Sequence, residues 1–103
     1  MNGVWIAHFN AGAAHGGGIA VLRQGEILGG DFSHSWSGTY EEEGARLYAR
    51  VRVQRNLIDQ EPAGGEKPFM LTFSGSHSGL EAALTGRADE NQTAIDIELH
   101  KAV

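Results

Sequence analysis

The chain has 103 residues, 41% hydrophobic and 20% charged, which fits one globular domain over 1–103 and excludes a disordered chain. Eight Lys and Arg stand against 13 Asp and Glu, and the formal charge of −5 opposes a nucleic-acid backbone. The absence of cysteine removes disulfides, thiolate nucleophiles and cysteine-type zinc sites together.

In chain order the apolar residues alternate, and Gly, Asn and Asp clusters interrupt them every eight to twelve residues or so, the pattern of an all-β meander. Gly3 to Phe9 (GVWIAHF) reads as the first strand, and NAGAAHGG after it as a loop. Gly18 to Arg23 and Glu26 to Asp31 flank Gln24-Gly25, where glycine supplies the positive φ of a two-residue hairpin turn. Phe32 to Glu41 is the fourth strand. Ala45 to Arg55 is the fifth and clearest, with Leu47, Ala49, Val51 and Val53 on one face and Arg46, Tyr48, Arg50 and Arg52 on the other. The longest connection, 56 to 68, has room for one helical turn over Asn56 to Gln60 before Pro62 stops it. Phe69 to Ser76, Leu80 to Ala88 and Thr93 to Ala102 complete the set. Their predicted inward residues are Phe69, Leu71 and Phe73, then Leu80, Ala82 and Leu84, then Ile95, Ile97 and Leu99.

Eight short antiparallel strands in up-and-down order leave two sticky edges unless the sheet closes. The expected architecture is therefore a small eight-stranded β-barrel with at most one short helical turn. Its interior would be just wide enough for side chains or for one small ligand.

Gly29-Gly30-Asp31 stands where a strand tolerates glycine poorly. In-strand glycine marks a bend or a close backbone approach, so these three residues are read as a structural turn. Asp31 is expected to accept hydrogen bonds from the amides that the bend frees. The first strand is apolar on both faces, and a single-walled barrel buries only one. Val4, Trp5 and Ile6 are accordingly the predicted dimer seam of a homodimer.

No catalytic set is evident. The five histidines show no His-x-His or His-x-x-x-His spacing, so no metal and no cofactor is expected. Gly16-Gly17-Gly18 precedes a strand rather than a helix and is not a phosphate loop. Ser74 to Gly79 reads as a hairpin tip, not a nucleophile elbow. An enzyme would need Asp31, His34 and another polar group to meet in one pocket. Glu41, Glu42 and Glu43 are the sharpest charge feature: a solvated turn, or an acidic handle for a protein partner. The amino end lacks the basic patch and apolar stretch of a signal peptide, and no apolar run approaches a membrane span. A cytoplasmic protein that contacts neither nucleic acid nor membrane is the expectation.

Gly3-x-Trp5, Phe9, Gly16-x-Gly18-Ile19, Gly25, Gly29-Gly30-Asp31 and Trp36-x-Gly38 ahead of an acidic turn together resemble the GrlR family. Members of that family are negative regulators of type III secretion gene expression in enteric pathogens. The likeness covers the first half by motif and the second half by strand rhythm. It implies a lipocalin-like barrel that dimerises, has no enzymatic activity, and binds a transcriptional activator through an acidic Glu-Asp-Glu-Asp loop. The corresponding positions here are Glu42, Glu43, Gly44 and Ala45, so the second half of that motif is absent. The leading expectation is a non-catalytic regulatory module that binds a protein partner, and the alternative is a lipocalin-like carrier of a small apolar ligand in the barrel interior.

Overall fold

A computed structural model describes residues 1–56, 67–90 and 92–103. The strands are β1 (Gly3–Ala11), β2 (Ala14–Arg23), β3 (Glu26–Gly30), β4 (His34–Glu43), β5 (Arg46–Arg55), β6 (Phe69–His77), β7 (Glu81–Ala88) and β8 (Ala94–Lys101). Each pairs antiparallel with the next, and β8 returns to β1 from Trp5↔Lys101 to Asn10↔Asp96, closing an up-and-down barrel. Among the described residues there is no helix. Residues 57 to 60 of the predicted helical turn lie outside them.

The alternation in the sequence becomes the wall of the barrel. In β5 every second residue from Leu47 to Val53 is buried, and the intervening Arg46, Tyr48, Arg50 and Arg52 are exposed. Gln24 and Gly25 have φ of 51° and 83°, both left-handed, as a turn that follows the strand twist requires.

Two expectations are corrected. The presumed loop after β1 is mostly ladder: pairing runs on through Asn10↔His15 to Ala11↔Ala14, leaving Gly12-Ala13 as the turn. Backbone pairing needs no particular side chains, so a Gly- and Ala-rich run can still be strand. Leu80 does not point inward. It lies in the bend before β7 and is 70% exposed, because Gly79 at φ 89° turns the chain one residue before the alternation begins.

Inward glycines shape the interior. A methyl group on Gly16 would lie 2.6 Å from the Phe9 ring, one on Gly18 2.8 Å from Trp36, and one on Gly86 2.3 Å from Phe73. Phe9 pairs directly with Gly16, and Phe73 with Gly86. Each ring therefore covers a glycine of a nearby strand and lies along the wall instead of crossing the lumen. Phe9 and Trp36 meet edge to face, 6.0 Å apart, over β2.

The outer wall is divided. On β1–β3, Val4 faces Val21, Ile6 faces Ile19, and Val21 faces Leu28, forming one apolar stripe. Ile19 is 46% exposed and Leu28 67%. On β5–β7 the outward positions are mostly polar instead, among them Arg46, Arg50, Arg52, Thr72, Ser74 and Thr85, with Arg50 paired to Asp89 at 2.8 Å.

Candidate functional site: an open apolar interior

The lumen holds a cavity of about 450 Å³. Phe9, Trp36, Phe69 and Ile95 line one end, and Leu22, Tyr40 and Leu47 the other. Small inward residues, Ala7, Ala20 and Ala49, supply much of the wall between them. A close-packed interior leaves few voids larger than a water, so an apolar space of this size is a pocket and not a packing fault. The inward Ala and Gly positions leave this space, but which of them lie opposite the large rings depends on pairing across strands. Trp5 lies beneath the cavity, fully buried and outside its lining.

Polar groups gather at the opposite end, where β3 passes into β4. Gly29 and Gly30 allow the close approach: a methyl group would lie 2.2 Å from the Ile19 carbonyl at the first and 2.5 Å from that of His34 at the second. Asp31 follows, and its Oδ1 accepts from the Ser33 amide at 2.8 Å, the His34 amide at 2.8 Å and the Ser33 hydroxyl at 3.1 Å. Asn56 ties this bend to the end of β5, donating from Nδ2 to the Asp31 and Phe32 carbonyls. Partial burial pushes the Asp31 carboxyl up. The two amides, the Ser33 hydroxyl and nearby His34 outweigh it, and the carboxyl settles below its ordinary range.

Asp31, Ser33 and His34 thus meet at the cavity rim. Their connections differ from those of a nucleophilic triad. There the imidazole sits between carboxylate and hydroxyl and takes the hydroxyl proton. Here Ser33 sits in the middle, donating its proton to Asp31, while its Oγ also lies 2.9 Å from His34 Nδ1. A carboxylate held below its usual range is a weak base for that proton.

The other candidates are dispersed. Glu41 and Glu43 face outward on β4 beside Tyr48 and Arg46, whereas Glu42 has the opposite parity. Glu42 accepts from the Met1 ammonium at 2.8 Å and lies 3.6 Å from His77 Nε2. Of the three seam residues, Trp5 points into the barrel and only Val4 and Ile6 stand on the outer wall. His8 and His100 meet edge on at 6.0 Å near Glu81 and Glu98. Among the described residues no group of three or more His, Cys, Asp or Glu is placed to hold a metal ion.

Fold and cavity together define the class: a closed eight-stranded antiparallel barrel with an apolar interior and a polar rim at one end. Neither models of known protein families nor curated proteins give a match to the chain.

Proposed function

We propose that this chain is a non-catalytic binding barrel, a lipocalin-like carrier that takes a small apolar molecule into its interior. The observation that carries this is the cavity of about 450 Å³ with almost wholly apolar walls. Cavities of that character stay dry and bind apolar guests in place of water. The Asp31–Ser33–His34 connections favour a structural rim over a reaction centre. The arrangement of apolar inside and charged outside is the reverse of a lipid-facing barrel and supports a protein that works in water. Native mass spectrometry of gently purified protein should show a bound small molecule that denaturation releases. Protein that is always empty, and that takes up no apolar probe, would sink the carrier reading.

A second reading rests on the outer wall. The apolar stripe of Val4, Ile6, Ile19, Val21 and Leu28 favours a homodimer. The exposed Glu41 and Glu43 favour a protein partner bearing basic residues, as a GrlR-like regulator would use to hold a transcriptional activator. Light scattering after size exclusion tests the first. Pull-down with Glu41 and Glu43 reversed to Lys tests the second.

A further inference from the structure

The cavity's polarity is one-sided, and this constrains what can occupy it. At the deep end the Tyr40 hydroxyl is already engaged, donating to Asn2 Oδ1 at 3.1 Å. The remaining deep lining, Leu22, Leu47 and Ala49, offers no polar side chain. A polar group of a guest carried to that depth would find only the Tyr40 oxygen in exchange for its hydrogen bonds to water, which is strongly unfavourable. The polar part of a guest belongs at the rim, where Asp31, Ser33 and His34 stand.

Depth sets the length of the rest. β4 runs along the wall from His34 at the rim to Tyr40 at the deep end. Those residue steps of about 3.3 Å, on a strand tilted by roughly 40°, give a depth of about 15 Å. An extended chain advances about 1.2 Å per bond, as three backbone bonds spanning about 3.5 Å show. A single alkyl chain of roughly twelve carbons therefore reaches from rim to floor.

The rim also selects a head. Among the described residues no Lys or Arg lines the cavity. Arg55, the ladder partner of His34, stands beside the rim without lining it. All three bonds to Asp31 fall on Oδ1, so among the described residues Oδ2 is left to accept from a guest. An anionic head would meet that carboxylate at close range, whereas a hydroxyl or an ammonium would donate to it.

Resting on the carrier reading above, we infer that the guest is a single-chain amphiphile of about twelve carbons, held tail first, whose head donates a hydrogen bond to Asp31. Calorimetric titration with straight-chain primary amines of 6 to 16 carbons, below their micelle concentrations, tests the length. Affinity should rise about fourfold per added methylene and stop rising near twelve carbons. At that length the amine and the alcohol should bind at least about tenfold more tightly than dodecanoate. Asp31→Asn should remove the preference for the amine and leave the length profile unchanged. A guest labelled at its terminal methyl should show NMR contacts to Leu47 and Tyr40. Gly16→Ala, whose methyl would press first on the Phe9 ring, should narrow the mouth and slow entry without unfolding the chain. Failure of every alkyl compound to bind would overturn the carrier reading itself. Binding with no length limit or preference for dodecanoate would overturn this assignment alone, whereas methyl contacts at Ile19 and Leu28 would put the guest outside the barrel and overturn the carrier reading with it.

Discussion

At the end of the barrel where β2 turns into β3, Trp5, Leu22 and Leu47 are packed to near-complete burial. Met1 and Asn2 tuck beneath them: Trp5 Nε1 donates to the Met1 carbonyl at 2.9 Å, and Asn2 Oδ1 accepts from both the Tyr40 hydroxyl and the Gln24 amide. At the end where β3 turns into β4, the same strands present Ala11, Gly16 and Gly29 inward, and Phe9 and Trp36 lie along the wall. Among the described residues, one end is sealed by side chains that fill the lumen, and the side chains at the other are too small to do so. The difference shows how one continuous sheet divides its work. Burial at the sealed end supplies stability, which leaves the open end free to remain underpacked.

Substitutions that exchange the character of the two ends should break this contrast. The largest effect is expected from Trp5→Ala, at about 3–5 kcal/mol of unfolding free energy, because it excavates the sealed end. Trp36→Ala at the open end should cost clearly less in the same urea titration, since its ring lines the cavity and is not packed on all sides by protein. Equal losses would mean that the two ends are packed alike.

Ala49→Phe should place a ring in the cavity next to Tyr40, its ladder partner. Guest affinity should fall by tenfold or more while the far-ultraviolet circular dichroism stays that of a β-protein. Undiminished binding would put the guest elsewhere.

Asp31→Ala should cost about 1–2 kcal/mol through the amides left unpaired at the rim. The part that depends on its charge varies with pH only in acid. With its folded carboxyl below the ordinary value, the stability Asp31 contributes is whole above about pH 4 and is lost as pH falls through the folded value. Asp31→Asn should therefore flatten the acid limb of the stability profile and leave its neutral limb parallel to that of the parent chain. An unchanged acid limb would show that the rim carboxylate is not held by its amides.

The smallest effects belong to the outer wall. Ile19→Ser with Leu28→Ser should change unfolding by within about 0.5 kcal/mol per site, as partly exposed positions do. If the apolar stripe is a dimer seam, the same pair should convert a dimer to a monomer by light scattering. A dimer that persists would move the seam off β1–β3.

The architecture was legible because its determinants are local. The alternation of β5 and the Gln24-Gly25 turn act within a few residues, and eight strands of such length favour closure. Strand limits were less legible where backbone pairing continues without help from side chains, as at Ala11 and Ala14. Leu80 misled because an apolar residue next to a strand resembles its first inward position. The cavity was hidden for a different reason. Inward Phe9, Trp36 and Phe73 suggest a filled lumen, and only the glycine opposite each ring reveals that the ring can lie flat. That pairing crosses strands, so it cannot be seen along the chain. The rim posed the converse difficulty. Asp31 and His34 are three residues apart in sequence, but what they do depends on Ser33 lying between them and on the cavity beneath.

The central claim is that the interior is an open apolar chamber, and the most direct test is to fill it with something that has no head at all. Methyl resonances of Leu71, Leu84 and Ile97, which line the chamber, should shift together when a small hydrocarbon such as cyclohexane is titrated in. Those of Ile19 and Leu28 on the outer wall should stay in place. Shifts confined to the outer wall, or none anywhere, would contradict the account.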